Sequence, residues 1–176
     1  MEISHRIHAR KVVLSYFYQR CFFLYLQKNK TIAQEMLAFD YVFPDHKDFD
    51  NKIQHFMGEI EQISHTESDE DIQYIIQNCF DKWDKEIDMD YVMQIIPKFD
   101  EVYTEVAKLV DTHTTTFSFD KMDLIDQALF VLWYAEHSIF HTPKEILLNE
   151  LIELAKRYAD DGSTKLINAI MHKIVN

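Results

Sequence analysis

Glycine is almost absent from this chain. Only Gly58 and Gly162 occur in 176 residues, with three prolines, Pro44, Pro97 and Pro143. A fold of many short strands needs tight and left-handed turns every few residues, and such turns draw on glycine and proline. Long helices are therefore expected. The composition, 47% hydrophobic and 14% aromatic, supplies enough apolar surface for a real core and excludes disorder.

The same scarcity removes a class of chemistry. Loops that cradle phosphate bring backbone amides close to the ligand with clustered glycines, and this chain has no such cluster. Serine, histidine and aspartate all occur, but no nucleophile elbow or oxyanion motif organises them. No catalytic residue and no cofactor are expected. The two cysteines, Cys21 and Cys79, sit in apolar helical surroundings and read as buried thiols of a cytoplasmic protein. Residues 12–26 resemble the apolar part of a secretory signal, yet Gln19 and Arg20 interrupt them and no small-residue cleavage site follows. No stretch reaches the roughly 18 apolar residues of a membrane span.

The formal net charge is −12, which disfavours a polyanion partner at long range. Its distribution is uneven. Residues 1–30 hold six basic side chains, Arg6, Arg10, Lys11, Arg20, Lys28 and Lys30, against Glu2, or +5, which leaves −17 for the rest. A basic start on an acidic body is either a local polyanion site or a solvated helix end.

Helical spacing of Ala9, Val12, Val13, Tyr16, Phe17 and Leu24 predicts a first helix over Arg6–Leu26, with Arg6 and Arg10 one turn apart. A short helix over Thr31–Ala38 and a loop at Phe43–His46 are expected next. Further helices are expected over Phe49–Ile63 and Ile72–Trp83, the latter capped by Ser68 with Asp71. From Val92 to Val110 an apolar stripe contains Pro97, which either kinks the helix or begins it. Asp111–Thr116 reads as a connection. Asp120 is expected to cap a central helix that buries Met122, Ile125, Leu129 and Leu132. Thr142, Pro143, Lys144 and Glu145 read as a capping box opening a helix through Leu147, Leu151, Leu154 and Tyr158. Gly162 would then turn the chain and Ser163 would cap the last helix, Leu166 to Ile174. The expectation is an all-α fold of about seven or eight helices in two packed bundles.

The stretches Ile125-Asp-Gln-Ala-Leu-Phe through Glu136, Pro143 through Lys156 with Asn149-Glu150 at its centre, and Ser163 to Asn168 closely resemble the NusB family of transcription antitermination factors. At the other end, Arg6, Ala9, Arg10 and Tyr18 resemble that family's opening helix. The resemblance implies one NusB-like domain over 1–176, with three-helix bundles of about 1–85 and 90–176. It also implies two partners, a boxA-like RNA and the ribosomal protein NusE, within the antitermination complex of RNA polymerase on ribosomal RNA operons. Carried over by position, Arg6 and Arg10 would contact RNA phosphates, joined by the turn Gly162, Ser163 and Lys165. Guanidinium groups and helix N-terminal amides suit that role. Tyr18 and Asp126 would face NusE. Departures from the family pattern are Ile7 and His8 in place of basic residues, Val131 and Ala135 in place of an arginine and a tyrosine, and Phe117 in place of a tryptophan.

Asn149, Glu150 and Asn168 are read as structural, through hydrogen bonds joining the last two helices. His137 and His141 have i, i+4 spacing, but no clear third ligand accompanies them, so no metal is expected. Asp81, Asp84, Glu86, Asp88 and Asp90 lack the glycine and ligand order of a calcium loop and read as a solvated acidic face.

Two functions remain open: an RNA-binding antitermination factor, and an interaction module that binds NusE without useful RNA affinity. A third, a ribosomal RNA cytosine methyltransferase with a NusB-like domain, is disfavoured because no cofactor-binding sheet is expected to fit after Asn176 and no catalytic cysteine stands in a glycine-bearing context.

Overall fold

The computed structural model describes residues 3–32, 35, 46–65, 69–78, 86–114 and 118–175. Among these the fold is all-α, with eight helices. They are α1 (Ile3–Lys28), α2 (His46–His65), α3 (Asp69–Asn78), α4 (Met89–Ile95), α5 (Phe99–His113), α6 (Leu124–Phe140), α7 (Lys144–Tyr158) and α8 (Asp161–Val175). Most of Thr31–Ala38, the loop at Phe43–Asp45, Ser68, Cys79–Lys85 and Phe117 lie outside the described residues, and with them several of the expectations above.

The chain forms two compact units, one made of Met1–Tyr18 with Asp69–Asn176, the other of Gln19–Ser68. In the smaller unit Leu26 and Ile60 are buried against Phe22, Phe23, Tyr25, Ile32, Phe56 and Met57. The amide side chain of Asn29 donates to the Tyr25 carbonyl and closes the end of α1.

The larger unit is arranged around α6. A helix buried on every side must be apolar on every side, and α6 buries the unbroken run Asp126–Trp133 together with Ala135 and Glu136. It packs against α4, α5, α7 and α8, and α7 and α8 pack on each other. From α1 the unit takes Ala9, Val12, Val13 and Phe17, all fully buried. Burying a side chain of the size of Val12, Val13 or Phe17 contributes roughly 1.5–3 kcal/mol by leaving water. Val131 and Ala135, where the family pattern has larger polar groups, are fully buried and serve the core.

Pro97 breaks the apolar stripe into two α-helices and stands at the first positions of the 3₁₀ helix between them. It lies in a short 3₁₀ turn, Ile96–Lys98, that joins α4 to α5, where its missing N–H interrupts no α-helical ladder. The connection expected from Asp111 starts later, since α5 continues to His113 and the Asp111 carboxylate accepts the Phe119 amide at 2.6 Å. Likewise α6 starts at Leu124, with Asp123 before it, and Asp120 falls in a separate 3₁₀ turn.

The helix ends of α7 and α8 differ from expectation for one reason each. Thr142 does not form a capping box. Its hydroxyl donates to Oε1 of Glu136 at 3.2 Å, and Pro143 is the residue preceding α7. A buried carboxylate with lone pairs to fill competes well for that proton. At α8 the cap is Asp160, whose Oδ1 accepts the amides of Gly162 at 2.8 Å and Ser163 at 3.0 Å. Gly162 has an ordinary negative φ inside the helix rather than a turn conformation. Aspartate and serine cap about equally well, and Asp160 takes the role because it lies where its carboxylate reaches both amides.

Candidate nucleic-acid interface

Arg6 and Arg10 lie one turn apart on α1, yet the fold treats them differently. Arg10 is 7% exposed. Its Nε donates to Glu136 Oε2 at 2.8 Å and its Nη2 to Glu136 Oε1 at 2.7 Å, a bidentate pair, while Nη1 donates to Glu150 Oε2 at 2.9 Å. The Tyr91 hydroxyl donates to Glu136 Oε2 at 2.6 Å. With Thr142 on the other oxygen, each oxygen of Glu136 accepts two hydrogen bonds, which fills its capacity. Residues of α1, α4 and the loop before α7 thus meet at one carboxylate of α6, and α7 joins the group through Glu150 on Arg10.

The electrostatics follow from that geometry. Burial works against the charge of Glu136, but the hydrogen bonds and charge of Arg10, with Tyr91 and Thr142, outweigh it and hold the carboxyl below the usual glutamate range. Burial also opposes the charge of Arg10, and Glu136 more than compensates, holding the guanidinium above its ordinary value. Burial, reinforced by Glu136, pushes the Tyr91 phenol well up. The pair therefore stays charged and the phenol stays a donor. Arg10, expected at an RNA phosphate, has its guanidinium committed to the buried Glu136 and the half-buried Glu150.

Arg6 stands at the border of the unit. Its Nε donates to Asp88 Oδ2 at 2.9 Å, with side-chain exposures of 23% for Arg6 and 5% for Asp88. The guanidinium lies 4.4 Å from the Tyr91 ring centroid and 4.8 Å from that of Phe140, within cation–π range. Asp88 also caps α4 by accepting the Tyr91 amide at 3.1 Å. The solvated acidic face expected here is corrected at this position: Asp88 is buried by the arginine it neutralises. Asp81 and Asp84 of the same run lie outside the described residues.

The other expected site residues gather elsewhere. Gly162 and Lys165 are exposed and Ser163 is buried, and the contacts that organise this turn run to Asp160 rather than to Arg6 or Arg10. Two of the amides expected to be open to an anion are therefore occupied by a carboxylate. Asp126, expected to face a partner, is 3% exposed, and its Oδ1 lacks a hydrogen-bond partner among the described residues. Burial raises its carboxyl above the usual aspartate range; a hydrogen bond from Ser163 offsets part of this, and the charges of Asp123 and Asp160 add to it. Tyr18 is 44% exposed.

Glu150 joins α7 to α1 through Arg10 rather than α7 to α8, a consequence of the charge it meets there. Asn149 is exposed and Asn168 half-buried. His137 stacks on Trp133 with centroids 5.9 Å apart, and its Nδ1 lies 3.1 Å from the Thr142 carbonyl. His141 adopts φ 51° and ends α6. No cluster of three or more metal-binding side chains is present among the described residues.

Tyr91, Glu136 and Thr142 were not singled out from sequence as site residues. A signal existed for Glu136, a lone acid near the end of a strongly apolar helix, since buried carboxylates are almost always paired.

Comparison with known proteins adds one match. The NusB family model matches residues 54–176, and no solved structure matches the chain.

Proposed function

This chain belongs to the NusB family, and from that premise we propose that it binds boxA-type RNA together with the ribosomal protein NusE and promotes processive transcription of ribosomal RNA operons. Family membership carries the general role, transcription antitermination by a non-enzymatic factor. No helix among the described residues is long and apolar enough to cross a membrane. We take 1–176 as a single NusB-like domain.

The observation that supports an RNA contact is the placement of Arg6, a partly exposed guanidinium held over two aromatic rings. In this reading Arg6 and Lys165 supply the phosphate contacts beside the turn Gly162–Ser163. Arg10 locks in place the helix from which Arg6 projects. Tyr18 is the accessible residue for NusE.

One observation favours the second reading, a module that binds NusE without useful RNA affinity. Both arginines already face carboxylates, Arg6 with Asp88 and Arg10 with Glu136 and Glu150. A fluorescence-anisotropy titration of boxA RNA with this protein, with and without NusE at two salt concentrations, separates the two. The antitermination reading expects binding that tightens with NusE, weakens as salt rises and weakens further in Arg6→Ala. A stable complex with NusE that takes up no RNA would select the second reading.

A further inference from the structure

We propose that the segment Glu86–Asp88 acts as a built-in competitor for RNA, masking with its own carboxylates the basic start of α1. The inference rests on the RNA-binding reading above and concerns how that site is regulated.

Three contacts lay this segment along α1. The Asp88 amide donates to the His5 carbonyl at 3.4 Å. Glu86 Oε2 lies 3.3 Å from His5 Nε2, and Asp88 Oδ2 lies 2.9 Å from Arg6 Nε. Two acids separated by one residue therefore meet two neighbouring residues of the basic end, as a phosphate backbone would.

The charge balance shows what this does. The two guanidinium groups of Arg6 and Arg10 face three carboxylates, Asp88, Glu136 and Glu150, so the fold cancels the charge that these two arginines bring to the start of α1. Glu136 and Glu150 neutralise Arg10, which is buried and structural. Asp88 and Glu86 are different. Arg6 is also held by the rings of Tyr91 and Phe140, which carry no charge, so the carboxylate of Asp88 is not its sole anchor. Glu86 has an 82% exposed side chain and supports no core. Their common effect is to place negative charge where a phosphate would bind, and a phosphate must displace it or work against it.

Charge removal without loss of the α4 cap provides the test. Asn caps a helix about as well as Asp, so Asp88→Asn keeps an acceptor for the Tyr91 amide, and Glu86→Gln alters only an exposed side chain. The full-length protein carrying both changes is titrated with a fluorescent boxA RNA at low and moderate salt, with and without NusE. Glu86→Gln alone guards against misfolding of the double variant. A control pair, Glu101→Gln with Glu153→Gln, changes net charge equally at exposed sites on other helices.

The double variant is expected to bind roughly five- to tenfold tighter at low salt, with a smaller gain at higher salt, Glu86→Gln to shift the same way, and the control pair to change little. Binding by the double variant where the natural chain shows none would support the mask still more directly. Unchanged or weaker binding in the double variant and in Glu86→Gln, with RNA still bound by the natural chain, would overturn the mask and leave the RNA reading standing. Equal tightening by the control pair would overturn it too, reducing the effect to bulk charge. If neither the natural chain nor any variant binds RNA, with or without NusE, both readings fall together.

Discussion

Helix α6 buries two carboxylates, Asp126 in its first turn and Glu136 just before its last, and their surroundings push them in opposite directions. Glu136 is 1% exposed and Asp126 3%, so burial alone does not separate them. What separates them is the supply of donors. Glu136 receives four hydrogen bonds, two from a guanidinium. Asp126 has Ser163 as a donor, an oxygen with no partner among the described residues, and two further acids, Asp123 and Asp160, acting on it. The lesson is general: a buried acid is held ionised or pushed towards its neutral form by its neighbours, and depth sets only the penalty that they must offset.

The largest test of this contrast is Arg10→Ala, which leaves the Glu136 charge buried with only neutral donors. A loss of about 3–5 kcal/mol in urea unfolding is expected, and Arg10→Lys should recover only part of it, because an ammonium cannot make the bidentate contact. Tyr91→Phe removes one neutral donor to the same carboxylate and should cost about 1.5–3 kcal/mol in the same assay. Equal losses for Arg10→Ala and Tyr91→Phe would break the view that the guanidinium dominates the network.

The smallest effect is expected at the other end of the helix, with the opposite sign. Asp126→Asn removes a charge that the fold does not satisfy and should stabilise the protein at neutral pH by on the order of 1 kcal/mol. The pH dependence distinguishes the two acids. The lowered carboxyl of Glu136 contributes stability above the ordinary glutamate value, near ~4.3, and that stability is lost as pH falls through its own lower value. The raised carboxyl of Asp126 behaves inversely: its protonated form is favoured in the fold, and that advantage is lost as pH rises through its folded value. The gain from Asp126→Asn should therefore vanish below the ordinary aspartate value, about pH 3.9. Thermal melts of both proteins across that range would show it, and a gain independent of pH would argue against a charge effect.

Much of the architecture was legible in sequence because it depends on local pattern. Two glycines in 176 residues exclude a strand-rich fold, and the apolar run after Asp126 marks the central helix. Details at the helix ends were not, because they depend on which distant group competes for a donor. Thr142 caps α7 only if its hydroxyl has nothing better to meet, and it meets Glu136. Arg10 was placed on the correct helix by periodicity, but periodicity cannot say that a turn apart means inside for Arg10 and border for Arg6. Their partners lie 126 and 82 residues away. Ser163 shows the same limit at short range, since either Asp160 or Ser163 could open α8 and only the geometry assigns the cap.

That long reach also bears on how the larger unit comes together. Arg10 is made before its partners Glu136 and Glu150, which lie 126 and 140 residues further along. Doubling such a loop costs only about 0.6 kcal/mol in closure entropy, so equilibrium stability suffers little. Folding order is affected more, because contacts distant along the chain slow the search. The start of α1 can become helical as it leaves the ribosome, but it must wait for most of the chain before its charge is matched. Helix α1 thus leaves the ribosome before its partners and is locked only after them.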